Sequence, residues 1–405
     1  MEKFKRTYFE RYAWKDPVFP DYTPDPDLEM VIVLPAYKET EITTAVTSLL
    51  NCTPVDLPVI LMVVINEPEN EDPAIRAINQ SAYDQLQEME NSHQRLTLLS
   101  TFIKLPKKKA GVGLARKIGM DQAARWFYQL NKNGIIVCFD ADCTCKKDYL
   151  LQISKTYEEK KLNGGVVSYQ HPLNEDSGII EYETYLRYYA DALRYAHFPF
   201  SFQTLGSCIT VRSDIYMKQG GMNTRKAGED FYFLHKVIPL GRFSEIPDAI
   251  VYPSSRVSDR VPFGTGSALA KYNPKRDYEV YHFEIFERVK QFFYSVKSGN
   301  RDFSTPVQEF LDSIGFDREL EKVKKNSKSQ KSFESQFFQW FDGFKVLKMV
   351  HYLRDHHLPS VPISEATNRL NDHLWKIRNF KKMDIKRRLI EIRKWDHANP
   401  MSSGF

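Results

Sequence analysis

Cysteine is scarce in this chain: there are five among 405 residues, an odd number. Disulfide frameworks belong to short secreted chains with paired cysteines. Cys52, Cys138, Cys143, Cys145 and Cys208 are therefore read as reduced thiols. Cys143 and Cys145 lack the two-residue gap of a zinc knuckle and have no second pair to complete four ligands. Long apolar runs are also missing. The longest, residues 59–65, falls far short of the about 20 residues that cross a bilayer. The first sixteen residues mix charged and aromatic side chains, with no apolar segment of the signal-peptide kind. The expectation is a cytoplasmic protein that meets a membrane, if at all, peripherally at its inner face. Charge of one sign is weak too, with a net +5 from 57 basic and 52 acidic residues. Nucleic-acid binders carry a stronger and more clustered bias, so nucleic acid is excluded as the main partner. A phosphate-bearing substrate or an anionic surface fits the mild excess.

What is present is apolar material enough for a sizeable core, 42% hydrophobic with 13% aromatic. Residues 1–29 form a leader, rich in Pro and Asp toward its end, lying over or beside the domain that begins at residue 30. Short apolar runs at 30–34, 58–65, 96–102, 135–139 and 166–170 read as buried strands. Helical spacing fills the gaps at 40–50, 72–92, 113–130 and 147–161. Such alternation implies an α/β fold with a doubly wound, mainly parallel sheet. Ligands of these sheets bind beyond the carboxyl ends of the strands. Pro35 to Glu39, Asn66 and Asp140 to Asp142 all fall there, which points to one shared site.

Asp140-Ala141-Asp142 places two carboxylates, one small residue apart, at a strand end, where both can reach one divalent cation. With a nucleotide diphosphate supplying further oxygens, that cation, Mg²⁺ or Mn²⁺, would neutralise charge growing on a departing diphosphate. Pro35 ends the first strand, Tyr37 offers a face to a base, and Glu39 can accept hydrogen bonds from base or ribose. Glu229 and Asp230 open a short helix. Either their charge complements the helix dipole or one of them moves a proton.

In their order and separations, Pro35-Ala36-Tyr37-Lys38-Glu39, Phe139-Asp140-Ala141-Asp142 and Gly228-Glu229-Asp230 resemble the family 2 glycosyltransferases of the GT-A fold. The resemblance covers residues 30–262, and residues 263–405 read as a helical C-terminal region. It implies transfer of a sugar from a UDP- or GDP-sugar to a hydroxyl of a glycan, a lipid-linked or a small-molecule acceptor, with inversion. Pro35, Tyr37 and Glu39 would bind donor, Asp140 and Asp142 the metal and diphosphate, and Asp230 would be the catalytic base beside Glu229. The segment from Lys109 to Gly119 is similar to the family's glycine-then-Ala-Arg-Asn run. It makes Gly113 and Arg116 candidates for phosphate or base contacts at a helix N-terminus, although Lys117 stands where that run has Asn.

Two features depart from the family pattern. Asn66 and Glu67 stand where a pair of Asp residues is usual, leaving Asn66 to meet a base edge through its amide. The Gln-x-x-Arg-Trp signature of processive synthases is absent, which argues against that class. Arg256 and Arg260, on a polar loop followed by Gly264-Thr265-Gly266, could clamp a diphosphate or simply form a local salt bridge. The helix over 176–195 carries Tyr182, Tyr185 and Tyr189 on one stripe, facing either core or acceptor. Residues 322–332 read as a basic solvated loop, and the stretch from Trp375 to Trp395 as a surface able to rest on anionic lipid. Two alternatives stand beside the transferase. One is a sugar-nucleotide nucleotidyltransferase, which would show a Gly-rich loop after the first strand. The other is a degenerate glycan- or partner-binding module.

Overall fold

A computed structural model describes residues 3–89, 96–173, 178–256 and 264–403. The chain divides into two compact units. The first comprises residues 1–172, 204–267 and 400–402, and the second comprises 173–203, 268–399 and 403–405. The sequence reading draws one boundary near residue 262; in this division residues 173–203 fall in the second unit.

The first unit is built on helix α1 (Lys3–Arg11), strand β1 (Met30–Ala36), α2 (Ile42–Leu50), β2 (Val59–Pro68), α3 (Pro73–Met89) and β3 (Leu96–Leu105). It continues through α4 (Val112–Gln129), β4 (Ile135–Cys138), β5 (Cys143–Cys145), α5 (Tyr149–Lys160) and β6 (Gly164–Tyr169). After α6 (Ile179–Tyr195), which belongs to the second unit, come β7 (Ile209–Arg212), α7 (Ser213–Lys218), α8 (Glu229–Val237) and β8 (Phe243–Pro253). The eight strands make one sheet in the order β3-β2-β1-β4-β7-β6-β8-β5. The expected parallel pairing holds for β3, β2, β1 and β4, and again between β6 and β8. β7 runs antiparallel to both its neighbours, and β5 runs antiparallel to β8. β1 is buried along its whole length, as strands covered on both faces are.

Pro35 does not end β1, contrary to expectation; it pairs with Val64 inside the strand. The Val33 carbonyl accepts from the Phe139 N–H at 3.0 Å, so Pro35, two residues on, faces the same flank. Pairing with β4 stops at Val33 and Cys138, so no ladder bond is lost for want of a proline N–H.

The leader is part of the first unit's core. Asp121 on α4, 1% exposed, accepts from the hydroxyls of Tyr8 and Tyr216, the latter at 2.5 Å, and from the Trp14 N–H at 2.6 Å. Lys117 Nζ lies 2.9 Å from the same carboxylate, which gives this lysine a structural task in place of the family's Asn. Gly221, at φ +76°, is required here: a Cβ would stand 2.2 Å from the Tyr8 hydroxyl oxygen. Removing one partner of a buried charge pair typically costs about 3–5 kcal/mol. Asp121→Ala should destabilise the chain by that order and open residues 12–29 to protease. An unchanged urea midpoint would show that Asp121 does not hold the leader.

In the second unit the abundant aromatics are core. Phe292, Phe293, Phe337, Phe338 and Phe341 pack with neighbouring centroids 5.0–6.2 Å apart, in the edge-on and offset geometries that aromatic pairs favour. Glu183 on α6, fully buried, accepts from Arg187 at 2.9 Å and from Arg393 at 2.6 and 2.8 Å. Residues 322–332 are not one loop. Helix Phe316–Asn326 buries Leu320 and Val323, and helix Gln330–Trp340 starts at once, with Ser329 accepting from the Ser332 N–H. Trp375 is 3% exposed and donates to Asp191 Oδ2 at 2.7 Å, so this aromatic is not available to a lipid surface. No helix among the described residues is long and apolar enough to cross a membrane.

Candidate active site

The site lies where the strands of the parallel half end. β4 stops at Cys138, and the next residues turn Asp140 and Asp142 partly to the surface, about a third exposed at their side chains, while Ala141 stays buried. Ala141, between the two carboxylates, is 6% exposed.

Arg116 organises this end of the sheet. It sits in the first turns of α4, 1% exposed, and its Nη2 donates to Asp140 Oδ1 at 2.6 Å. Its Nη1 pairs with the Glu229 carboxylate at the start of α8. Burial alone would pull the guanidinium pKa down. Asp140, then Glu229, outweigh it and hold the group above its ordinary value. Space for this fork comes from Gly206, where a Cβ would stand 2.7 Å from Nη2. Sequence placed Arg116 on a phosphate or base; here both terminal nitrogens serve carboxylates. Gly113 differs in the same way. Its open side receives the Arg225 carbonyl, 2.0 Å from where a Cβ would be, so protein rather than ligand makes the close approach.

Glu229 is 4% exposed, and its backbone carbonyl accepts from Asn223 Nδ2 at 2.9 Å. Gly228, at φ +72°, caps the helix, a conformation glycine adopts without strain. Asp230 is next, half-buried, with Oδ1 accepting from the Phe231 N–H at 2.7 Å. Burial first, then the Glu229 charge, push its pKa up to about 7, against the opposing pull of Arg116 and the Phe231 N–H. That is the range in which a general base works near neutral pH.

A second arginine closes the other flank. Arg256 forks onto Glu39, 2.8 Å from Nη1 to Oε1 and with Nη2 on Oε2, and the same Nη2 lies 3.9 Å from Asp142. Glu39 is 2% exposed, so its carboxylate is held by an arginine rather than open to a ribose. Arg260 lies outside the described residues. Tyr37 is half-buried beside Glu39. Asn66 is buried and donates to the Ala36 carbonyl at 3.1 Å, tying β2 to β1; half of its amide is thereby committed to the fold.

In the sequence Glu67 has no role of its own, and Arg76 and Asn79 carry no signal. Glu67, fully buried, accepts from Arg76 Nε at 2.8 Å and Asn79 Nδ2 at 3.1 Å. Asn79 in turn accepts from the Lys38 N–H at 2.8 Å, at a left-handed φ of 51°. These residues set the turn that carries Tyr37 and Glu39. The signal was Glu67 itself, an acid at the end of an otherwise apolar strand.

No set of three or more His, Cys, Asp or Glu side chains is assembled to hold a metal among the described residues. Asp140 and Asp142 are hard oxygen donors on one turn, each about a third exposed at its side chain. They suit Mg²⁺ or Mn²⁺ with the balance of ligands supplied by phosphate and water.

No family model and no curated protein sequence matches the chain. Among solved structures, S. aureus TarS 1–349 in complex with UDP-GlcNAc is similar at 14% identity and a TM-score of 0.39, over 91% of each chain. The mannosyltransferase PcManGT from Pyrobaculum calidifontis, in complex with GDP-Man and Mn²⁺, is similar at 13% identity and a TM-score of 0.36. It covers 98% of this chain and 92% of its own. Likenesses this distant carry no argument, and the site is read from its own residues.

Proposed function

We propose that the chain is a glycosyltransferase of the GT-A type, similar to family 2, moving a sugar from a UDP- or GDP-sugar to an acceptor hydroxyl with inversion. The observation that carries this reading is a charged cluster of two ion-pair runs that meet on the Asp140-Ala141-Asp142 turn. It passes from Glu39 through Arg256 to Asp142, and from Asp140 through Arg116 to Glu229, next to Asp230. Residues from all three motifs meet in it.

Asp230 would take the proton of the acceptor hydroxyl as its oxygen bonds to the anomeric carbon, while the bond from that carbon to the diphosphate breaks on the opposite face. Glu229 and Asp140 are held apart from each other's charge by Arg116. Tyr37 would stack on the base, with Pro35 shaping the turn beneath it. Arg256, a third exposed at its side chain, would steady both Glu39 and a diphosphate. A divalent cation held by Asp140 and Asp142 would supply Lewis-acid neutralisation of the departing diphosphate.

Calorimetric titration with UDP, GDP and their sugar conjugates, with and without Mn²⁺, tests this. One nucleotide should bind in a Mn²⁺-dependent way, and Asp142→Ala should remove the dependence. Absence of binding by every nucleotide would reject the reading.

A further inference from the structure

Within the second unit lies an open cavity of about 300 Å³. That volume is at the lower limit of the roughly 300–1,000 Å³ typical of small-molecule sites. We infer that it is a binding site for a neutral saccharide, formed by the faces of Tyr272 and Tyr278 and the carboxylates of Glu181 and Asp277.

The aromatic walls are fixed. Tyr272 packs its ring over Gly178, where a Cβ would stand 2.3 Å from the ring, and its hydroxyl donates to Glu181 Oε1 at 3.2 Å. Tyr278, half-buried, packs 6.3 Å from Tyr185 between centroids, and burial raises its phenol pKa. Both held rings line the cavity and offer apolar wall at low entropic cost, which suits the C–H face of a pyranose. Glu181 and Asp277 offer oxygen acceptors to its hydroxyls, and exposed Arg276 offers donors.

Other ligand classes fit less well. Arg388 contributes to the lining, but its guanidinium is directed at the carbonyls of Met383, Ser364 and Lys381, at 3.0–3.3 Å, and at Thr367 Oγ1. An anion would find that charge already engaged and two carboxylates facing it. A quaternary amine would suit the tyrosines and carboxylates but meets Arg276 and Arg388. An apolar ligand would leave the polar walls unpaired, at a cost. A neutral polyol satisfies them all.

The site rests on the glycosyltransferase reading only in that its occupant would share the chemical class of acceptor or product. Saturation-transfer NMR on the full chain with glucose, galactose, mannose, N-acetylglucosamine and cellobiose tests it, with tetramethylammonium and inorganic phosphate alongside. At least one saccharide should receive saturation through its ring C–H protons. Tyr278→Ala should weaken it by about tenfold, as expected for loss of a buried aromatic face. Ser364→Trp, filling the cavity from its exposed rim, should abolish it. Calorimetric nucleotide binding should be unchanged in both variants. The proposal is overturned if no saccharide binds, if binding survives both variants, or if tetramethylammonium or phosphate is taken in preference. Saccharide binding that is lost in Ser364→Trp in a chain that binds no nucleotide would uphold this site while rejecting the transferase.

Discussion

Asp230→Asn should lower the rate of sugar transfer by about 10²- to 10⁴-fold, the usual contribution of a positioned general base, and leave donor binding as it was. Asparagine keeps the shape and can still accept from the Phe231 N–H, which holds Asp230 Oδ1 at 2.7 Å. It cannot take a proton from a hydroxyl. The pH dependence comes from the same group. Its carboxyl is pushed up to about 7, by burial first and then by Glu229, so the parent enzyme should lose rate as pH falls below that value. The sign for stability is opposite. An unfolded chain releases this proton near pH 3.9. Between about 4 and 7 the native state therefore binds more protons, and its stability falls as pH rises. The contribution of the protonated group is fully present below about 4 and lost through about 7. Asn does not titrate, so the variant should be more stable than the parent at pH 8 and flatter across that window. Activity and stability should thus move in opposite directions. An Asp230→Asn enzyme as fast as its parent would remove the residue from the mechanism. One that is inactive, less stable and unable to bind nucleotide would make Asp230 structural.

Much of this site could be located from sequence because strand ends are locally encoded. An apolar β-branched run closed by a turn marks its own boundary, which fixed the positions of Glu39, Asn66 and Asp140 at one edge. What sequence could not give is who partners whom. Arg256 reaches Glu39 across 217 positions and Arg116 reaches Glu229 across 113, and nothing local distinguishes an arginine meant for a carboxylate from one meant for a phosphate. β8 escaped notice because Pro247 and Asp248 interrupt it. The sheet absorbs them as an irregularity, with Val167 opposite Ile246 but Ser168 opposite Ile250. Helix α1 buries Tyr8 alone, so it carries no apolar periodicity to read. Its anchor, Asp121, lies on α4, more than a hundred residues away. Local pattern therefore placed the acidic and basic residues at the strand ends, and long-range ion pairing decided which of them meet one another.

Arg116→Met should destabilise the folded state strongly and disable the site with it. The guanidinium separates two carboxylates, of which Glu229 is 5% exposed at its side chain and Asp140 32%. Deleting it leaves Glu229 buried and unpaired, with Asp140 and Asp230 as like-charged neighbours. Loss of one partner from such an arrangement costs about 3–5 kcal/mol, to be read from the urea midpoint of the parent and variant. Transfer should fall with it, because the Asp140-Ala141-Asp142 turn and the start of α8 lose their common tether. Lysine is no remedy: a point charge cannot serve two carboxylates as a planar fork does. Gly206→Ala approaches the same point without touching charge, since its Cβ would stand 2.7 Å from Nη2; it should weaken transfer while preserving most of the stability. The cause can be isolated by adding Glu229→Gln to Arg116→Met. If unpaired charge is the source of the loss, the double variant should recover stability but not activity. Asp230 would also feel the change, because Arg116 is the cation that lowers its pKa. Whatever rate survives in Arg116→Met should require higher pH than in the parent. A single variant that folds and transfers like the parent would show that Arg116 is not the hub of this site.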